Sequence, residues 1–182
     1  MKALLTAAAI VLLAPTLALA QKTSFDFDKT TDFSKFKTYT LKDGTKVNDP
    51  LIHNRIVAAI EAEMVAKGLS KNDAMPDVVV VYHIAFDKKQ DITTFSSGYG
   101  GYGPYGYGWG GGWAGGTTTT QVRDITIGTL VIDMADAKKK EIAWRGMGVK
   151  EVNTQAKPEK RDKSISEAVK KIFKNYPPKV KN

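Results

Sequence analysis

The chain is 182 residues long, carries a formal net charge of +8 and contains no cysteine. That length suits one domain able to bury a core without covalent staples. The missing thiol excludes disulfide scaffolds, cysteine nucleophiles and cysteine metal sites. Hydrophobic residues make up 42% and charged residues 25%, an ordinary globular usage.

The first twenty residues, "MKALLTAAAIVLLAPTLALA", have the layout of a secretory signal peptide. Lys2 supplies the positive end, Ala3 to Leu13 the apolar run, Pro15 a break, and Ala18-Leu19-Ala20 a small-x-small cleavage pattern. The run is shorter than the roughly 20 apolar residues that a spanning helix needs. Cleavage is therefore expected before Gln21, leaving residues 21–182 as a single exported domain, periplasmic or secreted, with no transmembrane helix. Without cysteine it is not expected to be lipid-anchored.

"TSFDFD" alternates Phe25 and Phe27 with polar residues and reads as a short edge strand, Asp26 and Asp28 on its wet face. "TTDFSKFKTYTL" predicts a turn at Asp32 and Ser34, then a strand to Leu41. Asp43-Gly44 marks another turn. Asp49 and Pro50 predict a helix start, Asp49 as cap and Pro50 in the first turn. Ile52, Ile56, Ile60 and Met64, with Ala59, form its apolar stripe, and Gly68 predicts its end. "DVVVVYHIAFD" predicts a central strand from Asp77 to about Phe86, largely apolar on both faces and so at least partly covered on both, and "KKQDITTF" is a candidate extension toward a glycine-rich stretch. "TTTTQVRDITIGTLVIDM" predicts a further strand whose inward phase shifts at Gly128, suggesting a bulge there. "ADAKKK" turns the chain into "EIAWRGMGVKEV", a strand with Trp144 as a core anchor and Arg145 on the opposite, solvated side. Ser164 and Glu167 suit a capping box. They open a last helix with Ile165, Ala168, Val169, Ile172, Phe173 and Tyr176 as its stripe, stopped by Pro177-Pro178. The sum is an α+β domain with a mainly antiparallel sheet of about five strands and two helices, about 50–67 and 164–175.

"DFSKFKTYTL", "AKGL", "PDVVVVYHIAF", the glycine insert, "GTLVIDMADAKKKEIAWRGMG" and "AVKKIFKNYPP" follow one another in an order that resembles the domain-of-unknown-function 4136 family of bacterial envelope proteins. The resemblance covers roughly residues 24–178. It implies an exported α+β domain and brings no catalytic residue with it. Members are often lipoproteins with a cysteine after the leader, whereas here Gln21 follows Ala20.

Between residues 96 and 120 lies a Gly/aromatic loop insertion. Residues 98–116 include eleven glycines and six aromatics: Tyr99, Tyr102, Tyr105, Tyr107, Trp109 and Trp113. Gly98, Gly100 and Gly103 have dinucleotide-loop spacing, but the segment leads into "TTTTQV", which has strand character, so no helix N-terminus faces a phosphate. Three readings stay open: a tolerated flexible insert, a contact loop whose rings stack on a glycan or protein, and a self-associating segment. Closing a longer loop costs only about 0.6 kcal/mol per doubling, so the fold tolerates the insert.

The C-terminal region is basic, with nine Lys/Arg against three Asp/Glu between Lys157 and Lys181. Arg161, Lys170, Lys171 and Lys174 are the candidate contacts to an anionic surface, and a solvated face with nothing bound is the plain alternative. Nucleic acid is not expected as a partner of an exported chain. His53 in the first helix reads as a surface residue and His83 as a packed, hydrogen-bonded one. Asp133 and Asp136 flank a hairpin turn. They could grip a cation, but turn formation explains them as well. No hydrolase or metalloprotease motif occurs, and no cofactor or metal is expected. The expectation is a non-enzymatic envelope interaction or structural module. The alternative is a carrier of a small apolar or glycan ligand between sheet and helices.

Overall fold

The computed structural model describes residues 21–45, 48–97 and 117–179. Its strands are β1 (Lys22–Phe27), β2 (Thr38–Asp43), β3 (Ser70–Lys71), β4 (Val78–Ser97), β5 (Thr117–Asp136) and β6 (Glu141–Glu151); its α-helices are α1 (Pro50–Ala66) and α2 (Pro158–Ile172). Short 3-10 turns occupy Phe33–Lys35 and Phe173–Asn175. The strands form one six-stranded sheet in the order β1-β6-β5-β4-β2-β3. The β1–β6, β6–β5 and β5–β4 ladders are antiparallel, while β2 runs parallel to β4 and β3. The α+β reading with a mostly antiparallel sheet holds. The sixth strand is the two-residue β3, too short to leave a periodic signal.

α1 forms where capping and apolar spacing agree. Asp49 Oδ1 accepts from the Leu51 and Ile52 N–H groups at 2.9 and 3.3 Å, and Pro50 opens the helix. At the other end Leu69 N–H donates to Met64 C=O at 3.0 Å and Gly68 N–H to Val65 C=O at 2.9 Å. That is a Schellman cap, and Gly68 takes its left-handed position with φ 83°. Ile56, Ala59, Ile60 and Met64 are the buried face.

α2 starts earlier than the Ser164 capping box predicts. It begins at Pro158, and no side chain caps it. Ser164 lies inside the helix, where its hydroxyl accepts from Lys150 Nζ at 2.9 Å. The first turns, "PEKRDK", carry no apolar residue, so the stripe that marks the helix appears only at Ile165. Val169 and Ile172 are buried, and Arg55 of α1 pairs with Asp162 of α2.

Both helices cover one face of the sheet. Their buried side chains join Tyr39, Val78, Val80, Tyr82, Ile132, Met134, Trp144, Phe173 and Tyr176 in one core. Trp144 is fully buried, stacked on Phe173 at 5.3 Å and edge-on to Tyr176 at 5.4 Å. The other face lacks a second layer among the described residues. Val79 and Val81 are half-buried there, and His83 and Ala85 are exposed, so on that side β4 is partly covered at its start and open from His83 on. Gly128 does not mark a bulge either: the ladder runs through Phe86↔Gly128 without a break. Its apolar phase changes because Ile125 and Ile127 lie on the open face and Leu130, Ile132 and Met134 on the helical one. The irregularity falls at Met134/Ala135, opposite the extra residue Ala143 of β6.

Candidate functional site

β4 and β5 pair over twenty residues, from Val78↔Asp136 to Ser97↔Thr117. Their neighbours stop much sooner. β2 leaves β4 at Asp43↔Tyr82, and β6 leaves β5 at Ile127↔Glu151. From Lys88↔Thr126 to Ser97↔Thr117 the pair therefore runs as a two-stranded ribbon. At about 3.4 Å per residue it spans roughly 30 Å.

Local chemistry favours extension here. Ile92 lies opposite Val122, Thr94 opposite Thr120, and Asp91 opposite Arg123, cross-strand pairs worth about 0.2–1 kcal/mol each. Ile92, Phe95 and Val122 are 61, 74 and 54% exposed. The inserted loop is accordingly shorter than residues 96–120, since Ser96, Ser97 and Thr117 to Thr120 belong to strands. Tyr99, Tyr102, Tyr105, Tyr107, Trp109 and Trp113 lie outside the described residues, as does the leader, 1–20. What is fixed is the anchorage of the segment: both its ends join the ribbon at its last pair.

The basic helix presents a different surface. Lys170, Lys171 and Lys174 are exposed. Arg161 is not available in the same way. It is half-buried, with Nε donating to Ala156 C=O at 2.9 Å and an Nη to Thr154 C=O at 2.8 Å, which ties down the turn before α2. Exposed Lys160 and Lys163 extend the basic face instead.

Arg145 is also committed. On the open sheet face it donates a two-pronged pair of hydrogen bonds to the buried Asp133, at 2.6 and 2.7 Å, and these bonds hold the guanidinium above its usual range. Asp133 is thus an ion-pair member rather than a turn former. Asp136 does form the turn: its Oδ1 accepts from the Lys138 and Lys139 N–H groups at 2.8 and 3.0 Å.

The histidines serve structure. His53 Nδ1 lies 2.6 Å from the hydroxyl of fully buried Tyr82, with Asp43 4.0 Å away. Burial, and then the Asp43 charge, push the Tyr82 phenol up. This satisfied core hydroxyl is what sequence reasoning missed. The signal was a tyrosine inside "VVVVY", whose O–H must find a partner if its ring is buried. His83 keeps a hydrogen bond, to Thr45 Oγ1 at 3.0 Å, but is exposed. Among the described residues no cluster of three or more His, Asp or Glu could hold a metal ion. A shallow, open depression lies between Asp26, Asp28 and Arg145 at the β1–β6 edge. Asp28 is occupied there by the Thr31 hydroxyl and by the N–H and hydroxyl of Thr30, which in that order hold its carboxyl below the ordinary range.

A one-sided α+β sheet that extends two of its strands as a ribbon defines the class. Residues 23–178 match the family described as a domain of unknown function, DUF4136. The chain belongs to that family. No curated protein matches it. Among solved structures it is similar to a PDZ domain protein from Parabacteroides distasonis, at 18% identity and TM-score 0.55, covering 87% of this chain and 35% of that one. The chain thus spans about a third of that protein's length. It is also similar to PelC from Paraburkholderia phytofirmans, a dodecamer, at 6% identity and TM-score 0.50, covering 85% of this chain and 95% of that one. Both likenesses concern the fold. No helix among the described residues is long and apolar enough to cross a membrane.

Proposed function

We propose that the protein is an exported, non-enzymatic interaction or structural module of the cell envelope, which holds out its Gly/Tyr/Trp segment as the contact element. The observation that carries this reading is the ribbon. The segment is joined to the domain at Ser97↔Thr117, ten residue pairs beyond the last pairing of β6 with β5. A loop that merely links two neighbouring strands could close at Asp87 and Ile127. Extending both strands puts the two points where the segment is anchored roughly 30 Å beyond the end of β6. Tyr and Trp suit contact because they offer broad faces at small cost in rotamer entropy. Export rests on the leader pattern of residues 1–20.

The carrier alternative has less support. The layer between sheet and helices is filled by Ile56, Ile60, Met64, Ile132, Met134, Trp144 and Phe173, all at most 1% exposed. The test replaces residues 98–116 with Asn-Gly, a two-residue hairpin turn, and compares what wild type and variant capture from envelope extract. The interaction reading expects partners recovered by wild type to be lost with the variant. Recovery of the same partners would reduce the segment to a spacer. Osmotic-shock fractionation checks the compartment, and retention in the cytoplasm would contradict export.

A further inference from the structure

Among the described residues the outer edge of β4 has no neighbouring strand over a defined length. β2 pairs with β4 only as far as Tyr82, and Thr45 N–H reaches the Tyr82 carbonyl just beyond. From His83 to Ser97 no described strand lies against that edge, and the middle of this stretch is Gln90. A two-stranded ribbon is marginal in water, and a third strand is the usual remedy.

The side chains along the stretch say what can supply one. An edge pairing antiparallel with its own copy about a two-fold axis normal to the sheet keeps faces matched when the axis passes through a residue. Centring on Lys89 sets Lys89 against itself and Asp87 against Asp91. A centre at Lys88 opposes two lysines, and one at Asp91 opposes two aspartates. Gln90 on the axis avoids every like-charge opposition. It places Lys89 opposite the partner's Asp91 twice, sets two amides against each other, and lays Ala85 beside the partner's Phe95, which is 74% exposed in the single chain. Asp91 then stands between Arg123 of β5 and the partner's Lys89. Edge lysines ordinarily deter pairing; other centres such as Ile92 also avoid like charges, but only Gln90 sets lysine against aspartate without opposing like charges. That register is also the one that uses the whole uncovered edge, 83 to 97, on both copies.

We propose that two copies join through the β4 edges, centred on Gln90, into a sheet continuous across the dimer. The interface uses the β4 edge and includes no residue of 98–116, so it rests on other residues than the proposed contact role.

With no native cysteine, an engineered thiol reports the register. Opposed antiparallel residues sit about 4.5–5.5 Å apart at Cα, within reach of a disulfide. Oxidised Gln90→Cys is expected to run as a covalent dimer. Lys88→Cys alone is not, because it faces the partner's Ile92; mixing Lys88→Cys with Ile92→Cys restores the cross-link. In sedimentation the wild type is expected at twice the monomer mass. Lys89→Asp or Asp91→Lys alone should be monomeric, and an equal mixture of the two should dimerise, since one copy is then acidic and the other basic at both positions. A wild type that stays monomeric from ~1 µM to ~1 mM, or equal cross-linking of Gln90→Cys and Lys88→Cys, overturns the proposal. The variant with residues 98–116 replaced should still dimerise, so its partner capture is scored independently.

Discussion

Gly146 sits where the Trp144 ring crosses the β6 backbone, and a β-carbon there would overlap Cη2 of Trp144 and Cγ2 of Ile172. Both neighbours are buried and cannot move aside cheaply. Gly146→Ala should therefore destabilise the fold by about 1–3 kcal/mol, the usual cost of overpacking, as read by urea unfolding; an unchanged midpoint would mean that the ring has room to shift. Asp77 governs a different dependence. Its Oδ2 accepts from the Lys37 and Thr38 N–H groups, each at 3.0 Å, and from the Thr38 hydroxyl at 2.9 Å, pinning the start of β2 to that of β4. Those bonds, the Lys37 N–H first, hold its carboxyl below the ordinary 3.8. A carboxyl depressed by folding stabilises above its unfolded value and loses that contribution as pH falls through the folded one. Wild type should thus lose more stability than Asp77→Asn between about pH 5 and pH 2. Parallel stability curves would contradict this role.

At the scale of elements, α2 and the ribbon carry the surfaces with a function to test. Lys170 and Lys171 project from the end of α2 and Lys174 from the 3-10 turn after it, without a close acidic partner among the described residues. If they meet an anionic surface, changing all three to Gln should weaken binding to vesicles containing phosphatidylserine by about tenfold or more, near 1 kcal/mol per lysine before screening. Added salt should erase the difference. Equal binding of wild type and variant would leave α2 a solvated face. How far the elements were legible depended on whether one residue pattern had one explanation. α1 was readable because Asp49, Pro50, the Ile56–Met64 stripe and Gly68 all state the same helix. α2 was readable only from Ile165 onward, because its charged first turns hide their period. The ribbon was half legible: "KKQDITTF" suggested extension and "TTTTQV" had strand character, but the insertion bounds of 96–120 ran over the ends of both strands. Pairing between distant strands, not local propensity, carries β4 and β5 to Ser97 and Thr117.

At the scale of the molecule, the division between scaffold and appendage was the strongest signal in the sequence. The buried core draws on Tyr39, α1, the first part of β4, the last part of β5, Trp144 and the C-terminal Phe173 and Tyr176. No residue from Lys88 to Phe95 or from Thr119 to Thr126 belongs to it. The polar commitments were not legible, because Arg161, Arg145 and His53 find their partners through tertiary placement that spacing does not encode. The central claim is that the domain is complete without residues 98–116. The thermal midpoint of the variant carrying Asn-Gly in their place tests it most directly. The midpoint should stay within about 2 °C of wild type, a change below roughly 1 kcal/mol for a chain of this size. A fall of about 10 °C or more would make those rings part of the hydrophobic nucleus and contradict the account.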